Sequence, residues 1–394
     1  MDPPEFEIAP GVFVGGNHPV FIIAEIGQNH QGSYLEATRL VQTAAECGVH
    51  CVAFHRSDVE SRFTQKDLNR IYENEQSFGA TYGDHMRALE IFDENLINLK
   101  RFAEELGLIF TATGMDKPSI DFLQQIGVPF FKIDSADAAN LPFLWYVSRY
   151  NKPLVISTGM TNEEDLSRAY HEIKSATNIA MLQCTSSVPV PSCSVNLNVM
   201  QAYKNLYPRA VIGYSDGGNK VVESVAAVSI GAKIIEGRIT FDHCLKGSDH
   251  ASSLDESELR YFVQSIKKVE EAMGNKKKEI QVCECDSYDE ETKTIVATGS
   301  IARGTCISEE HMAIKISTRK GYEPLCFDDL LAAERKFEYN LFLIIFSSLV
   351  DSFLQQTTLK SEAVRRFRRS SLHNELPFCS IVALSKAAAS ASDN

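Results

Sequence analysis

Eight short apolar runs, each followed by a stretch with helical periodicity, leave this chain few folds to choose from. They are FIIAEIG (21–27), HCVAFH (50–55), LIFTAT (108–113), PFFKIDS (129–135), PLVISTG (153–159), IAMLQCTS (179–186), AVIGYSD (210–216) and AKIIEG (232–237). Each is apolar nearly throughout, as parallel strands buried on both faces must be. Between them lie amphipathic segments. SYLEATRLVQTAAECG puts Ala37, Leu40, Val41, Ala44 and Ala45 on one stripe, with Ser33 and Glu36 as an expected capping box and Gly48 as its stop. The next repeats the pattern with Leu96, Leu99, Ala103 and Leu106 before Gly107. Eight strand–helix units over roughly 250 residues predict an α/β fold, a (β/α)8 TIM barrel. An open doubly wound sheet is the alternative, but no G-x-G-x-x-G turn follows the first run.

In such a barrel the chemistry gathers at the C-terminal strand ends. Here those ends carry Glu25; His55 and Arg56; Thr111 and Thr113; Lys132, Ser135 and Asp137; Ser157 and Thr158; Thr185, Ser186 and Ser187; Ser215 and Asp216; Glu236 and Arg238. Any one of these reads equally well as an ordinary polar loop residue. Eight in register, with a lysine inside the apolar FFKIDS, point to a site. The long connection at 56–90 lies on the same side and reads as a functional loop or lid.

The bulk properties narrow the partners. A formal net charge of −13 argues against nucleic acid or an anionic membrane as the main partner. The opening MDPPEFEIAP has no basic and apolar leader pattern, so no signal peptide is expected. The ten cysteines show no zinc-site spacing and read as reduced thiols of a cytoplasmic protein. The segment YNLFLIIFSSLVDSFL is shorter than the ~20 residues of a membrane span. The expected division is a barrel at 1–273, a charged linker at 274–291, a small β-rich domain at 292–340, and a tail at 341–394. That tail is apolar, then basic at RRFRR (365–369), and expected to be largely disordered.

AEIGQNHQG, FFKIDSADAANLPF, VISTGM, LQCTSSVP, IGYS and KGSDHASSL, in that order, resemble the sialic acid synthase family over roughly residues 8 to 330. The resemblance implies that phosphoenolpyruvate condenses with the open-chain aldehyde of N-acetylmannosamine or its 6-phosphate. It implies Mn2+ or Mg2+ held by two histidines, a C-terminal antifreeze-like (SAF) domain, and a domain-swapped homodimer. By the same resemblance Glu25 is an active-site acid near the reacting carbons and Asp137 a carboxylate near the sugar. Thr113, Lys132, Ser135, Ser157 and Ser215 contact phosphoenolpyruvate, and Asp249 contacts a sugar hydroxyl. Ser186 stands where the family commonly has asparagine.

Other positions depart from the family. Ala53 stands where a phosphate-binding lysine is expected, His55 replaces a glutamine, and Val188 a sugar-contacting tyrosine. Gly217 and Arg238 occupy the two metal-histidine positions, so no metal ligand is assigned. Arg238 is read as a cation facing the aldehyde oxygen or the phosphate. The family match fades near residue 331, and Arg319 lies near a loop that offers the partner's sugar a basic residue. Three readings stand: a synthase; a catalytically impaired paralogue that binds an anion or pairs with an active synthase; and a lyase or aldolase using Lys132 as a Schiff base.

Overall fold

The structure, a computed structural model, describes residues 3–218, 221–302, 305–318 and 320–332. Arg319, the end of the small domain and the whole tail at 341–394 lie outside the described residues. Two compact units divide between Asn275 and Lys276.

The first unit opens with a two-stranded antiparallel hairpin, β1 (Glu5–Ala9) and β2 (Val12–Gly15). Eight parallel strands follow: β3 (Phe21–Gly27), β4 (Cys51–Arg56), β5 (Ile109–Gly114), β6 (Phe131–Ile133), β7 (Leu154–Ser157), β8 (Ile179–Gln183), β9 (Val211–Ser215) and β10 (Ile234–Arg238). They close into a barrel in chain order, β10 returning to β3. All eight expected runs are strands, trimmed mainly where a run reached into its loop; β6 keeps only Phe131–Ile133 of PFFKIDS.

The closure divides the apolar side chains in two. Outward-facing residues such as Ile22, Ala24, Val52, Phe54, Phe110 and Ile156 pack with the helices. Inward-facing Phe21, Ile23, Cys51, Phe130, Val155, Leu182 and Ile234 form a second core inside the ring. Phe6, Ile8, Ala9 and Val14 of the hairpin join that inner core, plugging the N-terminal end. At Gly15, φ +91°, a side chain would meet Pro4 O and come within 2.7 Å of Val211, so only glycine fits against the barrel floor.

The helix Tyr34–Cys47 buries Ala37, Leu40, Val41, Ala44 and Cys47 and ends at Gly48 in the left-handed conformation. Ser33 accepts from the Glu36 amide, but only half of the expected box forms. The Glu36 carboxylate turns outward to Arg39 at 3.1 Å, because an exposed guanidinium one turn away competes for it. The 56–90 connection folds into short helices, Val59–Arg62, Gln65–Leu68 and Tyr82–Leu89, around a small core of Val59, Leu68 and Met86.

In the second unit β11 (Lys293–Ala297) pairs antiparallel with β12 (Met312–Ile316), with Ile295 fully buried. Its first residues, within the 274–291 stretch, carry a helix at Cys285–Glu291. No helix of the described residues is long and apolar enough to cross a membrane.

Candidate active site

At the C-terminal strand ends the inward positions turn from apolar to ionic. Strand register decides which groups meet. Arg238 is the Cα partner of Glu25, Glu236 of Ser215, and Lys132 of Thr113. Lys132 Nζ lies 2.6 Å from Glu25 Oε1 and 2.7 Å from Glu236 Oε2, with all three groups buried. Arg238 donates from Nε and Nη2 to Glu25 Oε2 at 3.2 and 3.0 Å, and its Nη1 lies 3.2 Å from Asp249 Oδ2. His55 Nε2 is 3.0 Å from Glu25 Oε1.

This network sets the protonation states. Burial pushes the Glu25 carboxyl up, but Lys132, Arg238 and His55 outweigh it and hold it well below the usual glutamate value. Burial works against the Lys132 ammonium too, yet Glu236 and Glu25 more than offset it and raise its pKa. Glu236 goes the other way: burial dominates and its pKa is raised. Lys132 and Glu25 therefore stand charged at neutral pH. An uncharged lysine nucleophile needs the opposite shift, which removes the support for a Schiff base at Lys132.

The far side of the mouth carries hydroxyls. Ser135 Oγ accepts from the Gly159 amide at 3.1 Å. A methyl group added at Gly159 would strike Ser186 Oγ and lie 2.9 Å from Ser135 Oγ and 3.1 Å from Ser186 N. The two serines thus lean over one glycine, leaving a small cradle of hydroxyls and an amide. Ser215 donates to Glu236 Oε1 at 2.8 Å, and Ser157 is buried at its strand tip. The buried Thr113 hydroxyl has no hydrogen-bond partner. Cys184, a free thiol, lies beside Ser135 and Ser215.

The structure therefore brings together Glu25, Thr113, Lys132, Ser135, Ser186, Ser215, Arg238 and Asp249. Asp137 sits apart in the short turn after β6, accepting from Asn140 at 2.8 Å, and makes no hydrogen bond or ion pair to this network among the described residues. Thr111 and Thr158 spend their hydroxyls on the Phe130 and Leu182 carbonyls and are structural. Glu236 and His55 are network members that the sequence reading did not assign. Glu236 carries a local signal: like Lys132, it is a charged residue set directly among apolar ones in its run.

The loops around the mouth hold one another. Asn29 donates to Ile239 O at 2.8 Å and to Ser253 Oγ at 2.9 Å. Gln31 reaches the Lys246 carbonyl and lies 2.9 Å from His250 Nε2, while Lys246 covers Phe78 of the long connection. His30 is buried against Phe54, and burial lowers its pKa to about 3, so it stays neutral.

A divalent metal does not fit the groups present. Gly217 offers no ligand, and a side chain there would overlap Val190 Cγ2. Arg238 is cationic and cannot ligate. The carboxylates of Glu25, Glu236 and Asp249 already face Lys132 or Arg238.

A model of the NeuB family matches residues 40–278. The chain is 42% identical over 323 residues to N-acetylneuraminate-9-phosphate synthase of Homo sapiens, covering 82% of this chain and 90% of that protein. The Drosophila melanogaster protein of the same name is 35% identical over 340 residues, with 80% and 91% covered. A crystal structure of N-acetylneuraminic acid synthetase from Leptospira borgpetersenii, in complex with citrate, superposes with a TM-score of 0.65 at 28% identity, covering 73% of this chain and 96% of that one. The barrel, the order of its motifs and these relatives agree: the chain belongs to the NeuB family, the sialic acid synthases.

Proposed function

We propose that this chain condenses phosphoenolpyruvate with the open-chain aldehyde of N-acetylmannosamine 6-phosphate, or of N-acetylmannosamine, to give N-acetylneuraminate 9-phosphate or N-acetylneuraminate. One observation carries the proposal. A buried ammonium, an unpartnered buried hydroxyl and the Ser135–Ser186 cradle converge at strand ends that also hold an ionised carboxylate. Phosphoenolpyruvate needs that set: cationic and hydroxyl donors for its phosphate and carboxylate oxygens, and a negative charge near C2, where positive charge develops.

In this reading Lys132, Thr113, Ser135, Ser157, Ser186 and Ser215 hold phosphoenolpyruvate. Glu25, kept ionised, faces the reacting carbons and takes a proton from the water that adds at C2. Asp249 and Asp137 take sugar hydroxyls. Sialic acid synthases are generally metal-dependent, with Mn2+ or Mg2+; the groups at this mouth do not provide for that ion, and no step here is routed through it. A homodimer, an antifreeze-like identity for residues 292–340 and a cytoplasmic location belong to the same proposal, the dimer being testable by light scattering.

The test is phosphate release from phosphoenolpyruvate with either sugar. Release that requires both substrates and falls by at least ~10²-fold in Lys132→Ala supports the synthase. No release, with phosphoenolpyruvate still bound in calorimetry, would instead identify a non-catalytic anion-binding relative.

A further inference from the structure

We infer that the barrel mouth takes no divalent metal and that the Arg238 guanidinium is the fixed cation that holds the substrate's carbonyl oxygen. This rests on the synthase reading for its substrate, but its argument lies in the donor groups.

Arg238 enters the mouth from the last residue of β10, opposite Glu25. Nε and Nη2 are used on Glu25 and one contact of Nη1 on Asp249. A guanidinium has five N–H donors in a rigid fork, so donors remain for a ligand oxygen. The two carboxylates fix the fork before substrate arrives, and such preorganisation lets a cation stabilise a developing alkoxide without reorganising. Burial disfavours the charge on Arg238, but Glu25 and Asp249 prevail and raise its pKa, so it cannot donate its proton outright.

The space for a metal ligand in the loop after the neighbouring strand β9 is filled. Val190 is buried, its amide donates to Gly217 O at 3.3 Å, and its Cγ2 occupies the position where a side chain at 217 would begin. A β-branched side chain is stiff and cannot swing clear at low cost. Among the described residues the one grouping of three metal-type ligands is His243, Asp255 and Glu258, which includes no strand-end residue. There Asp255 and Glu258 already form a reciprocal helix cap.

The chemistry balances without the ion. The electron pair at C3 of phosphoenolpyruvate forms the new bond to the aldehyde carbon, and the carbonyl pair moves onto its oxygen. Arg238 holds that alkoxide through N–H donation. Water adds at C2; one of its protons passes by way of Glu25 to the alkoxide. The C2–O bond to phosphate then breaks, and the remaining hydroxyl proton leaves with the phosphate as the ketone forms.

The experiment measures phosphate release by the full chain in EDTA and in Mn2+, together with Mn2+ binding by electron paramagnetic resonance in the presence of phosphoenolpyruvate. We expect equal rates within about twofold. Arg238→Ala should lower kcat by ~10²–10³-fold and leave the KM for phosphoenolpyruvate within a few-fold. The free Mn2+ signal should stay undiminished, or lose only a component bound at the His243, Asp255 and Glu258 grouping, one abolished by His243→Ala. Release that requires Mn2+ overturns the inference and leaves the synthase reading intact. No release in either condition overturns the synthase reading; one Mn2+ bound per chain that survives His243→Ala then overturns the inference as well, and an undiminished signal upholds its metal-free part. Gly217→His with Arg238→His should still bind no Mn2+ until Val190→Ala is added. Binding by the double variant alone would show that Val190 does not block the position.

Discussion

The two ends of the barrel are built from the same eight strands and reach opposite chemistries. At the N-terminal end Phe6, Ile8 and Val14 of the hairpin press onto Phe21, Ile23, Phe130 and Ile234. At the C-terminal end the same inward rows carry Glu25, Lys132, Glu236 and Arg238. The first is close-packed and gains from every methylene removed from water. The second has paid for desolvating charges, and its attractions recover that cost only while every partner is present. Stability at the floor is therefore spread over many contacts, whereas at the mouth it depends on a few that must stand together.

The largest test of this contrast is Lys132→Ala. It leaves Glu25 and Glu236 buried without their shared cation, so unfolding in urea should show a loss of about 3–5 kcal/mol, and calorimetry no phosphoenolpyruvate binding. A loss below ~1 kcal/mol would mean that water replaces the ammonium and that the mouth is not a dry ionic cluster. At the floor, Ile8→Ala should cost about 2–4 kcal/mol through lost packing and a residual cavity. Its kcat and KM should match the parent chain; a change in either would show that the plug is coupled to the mouth.

Acid should weaken the mouth first. His30, held to about 3 by burial, is neutral in the fold but protonated when unfolded below its ordinary value near 6.5. Its contribution is complete above that value and lost as pH falls from there towards 3. Glu25, with a depressed folded pKa, adds stability above the ordinary glutamate value that is lost as pH falls through its folded pKa. Glu236, raised by burial, has the opposite sign and loses stability as pH rises through its own window. In urea titrations from pH 7 to 3, His30→Gln should flatten the fall that begins near pH 6.5, while Ile8→Ala should shift the curve without changing its shape. The smallest effect is at a helix cap. Ser33→Ala removes the acceptor for the Glu36 amide and should cost about 1 kcal/mol with ligand binding unchanged.

The hairpin shows how a legible pattern goes unread. EFEI alternates exposed and buried residues in period two, with Phe6 and Ile8 buried, and Ala9 is buried after them. Glu236 and His55 stand among the strand-end positions in the sequence, but their roles are not legible there. Each sits at a strand end, but what makes it part of the network is its partner, Lys132 on β6 for Glu236 and Glu25 on the adjacent β3 for His55. Asp137, two residues past Ser135, lies on the turn after β6 and bonds to Asn140 rather than to the charged cluster.

The sequence alone determined the strands, their parallel closure and the polar tip of each, because period and burial are local properties that eight repeats make unambiguous. Only the tertiary structure decided which tips touch. Register set Arg238 against Glu25, barrel curvature brought Lys132 between two glutamates, and the loop at Val190 closed over Gly217. Those pairings fix the charge states and the ligand room, and they depend on distances across the ring that no linear spacing encodes.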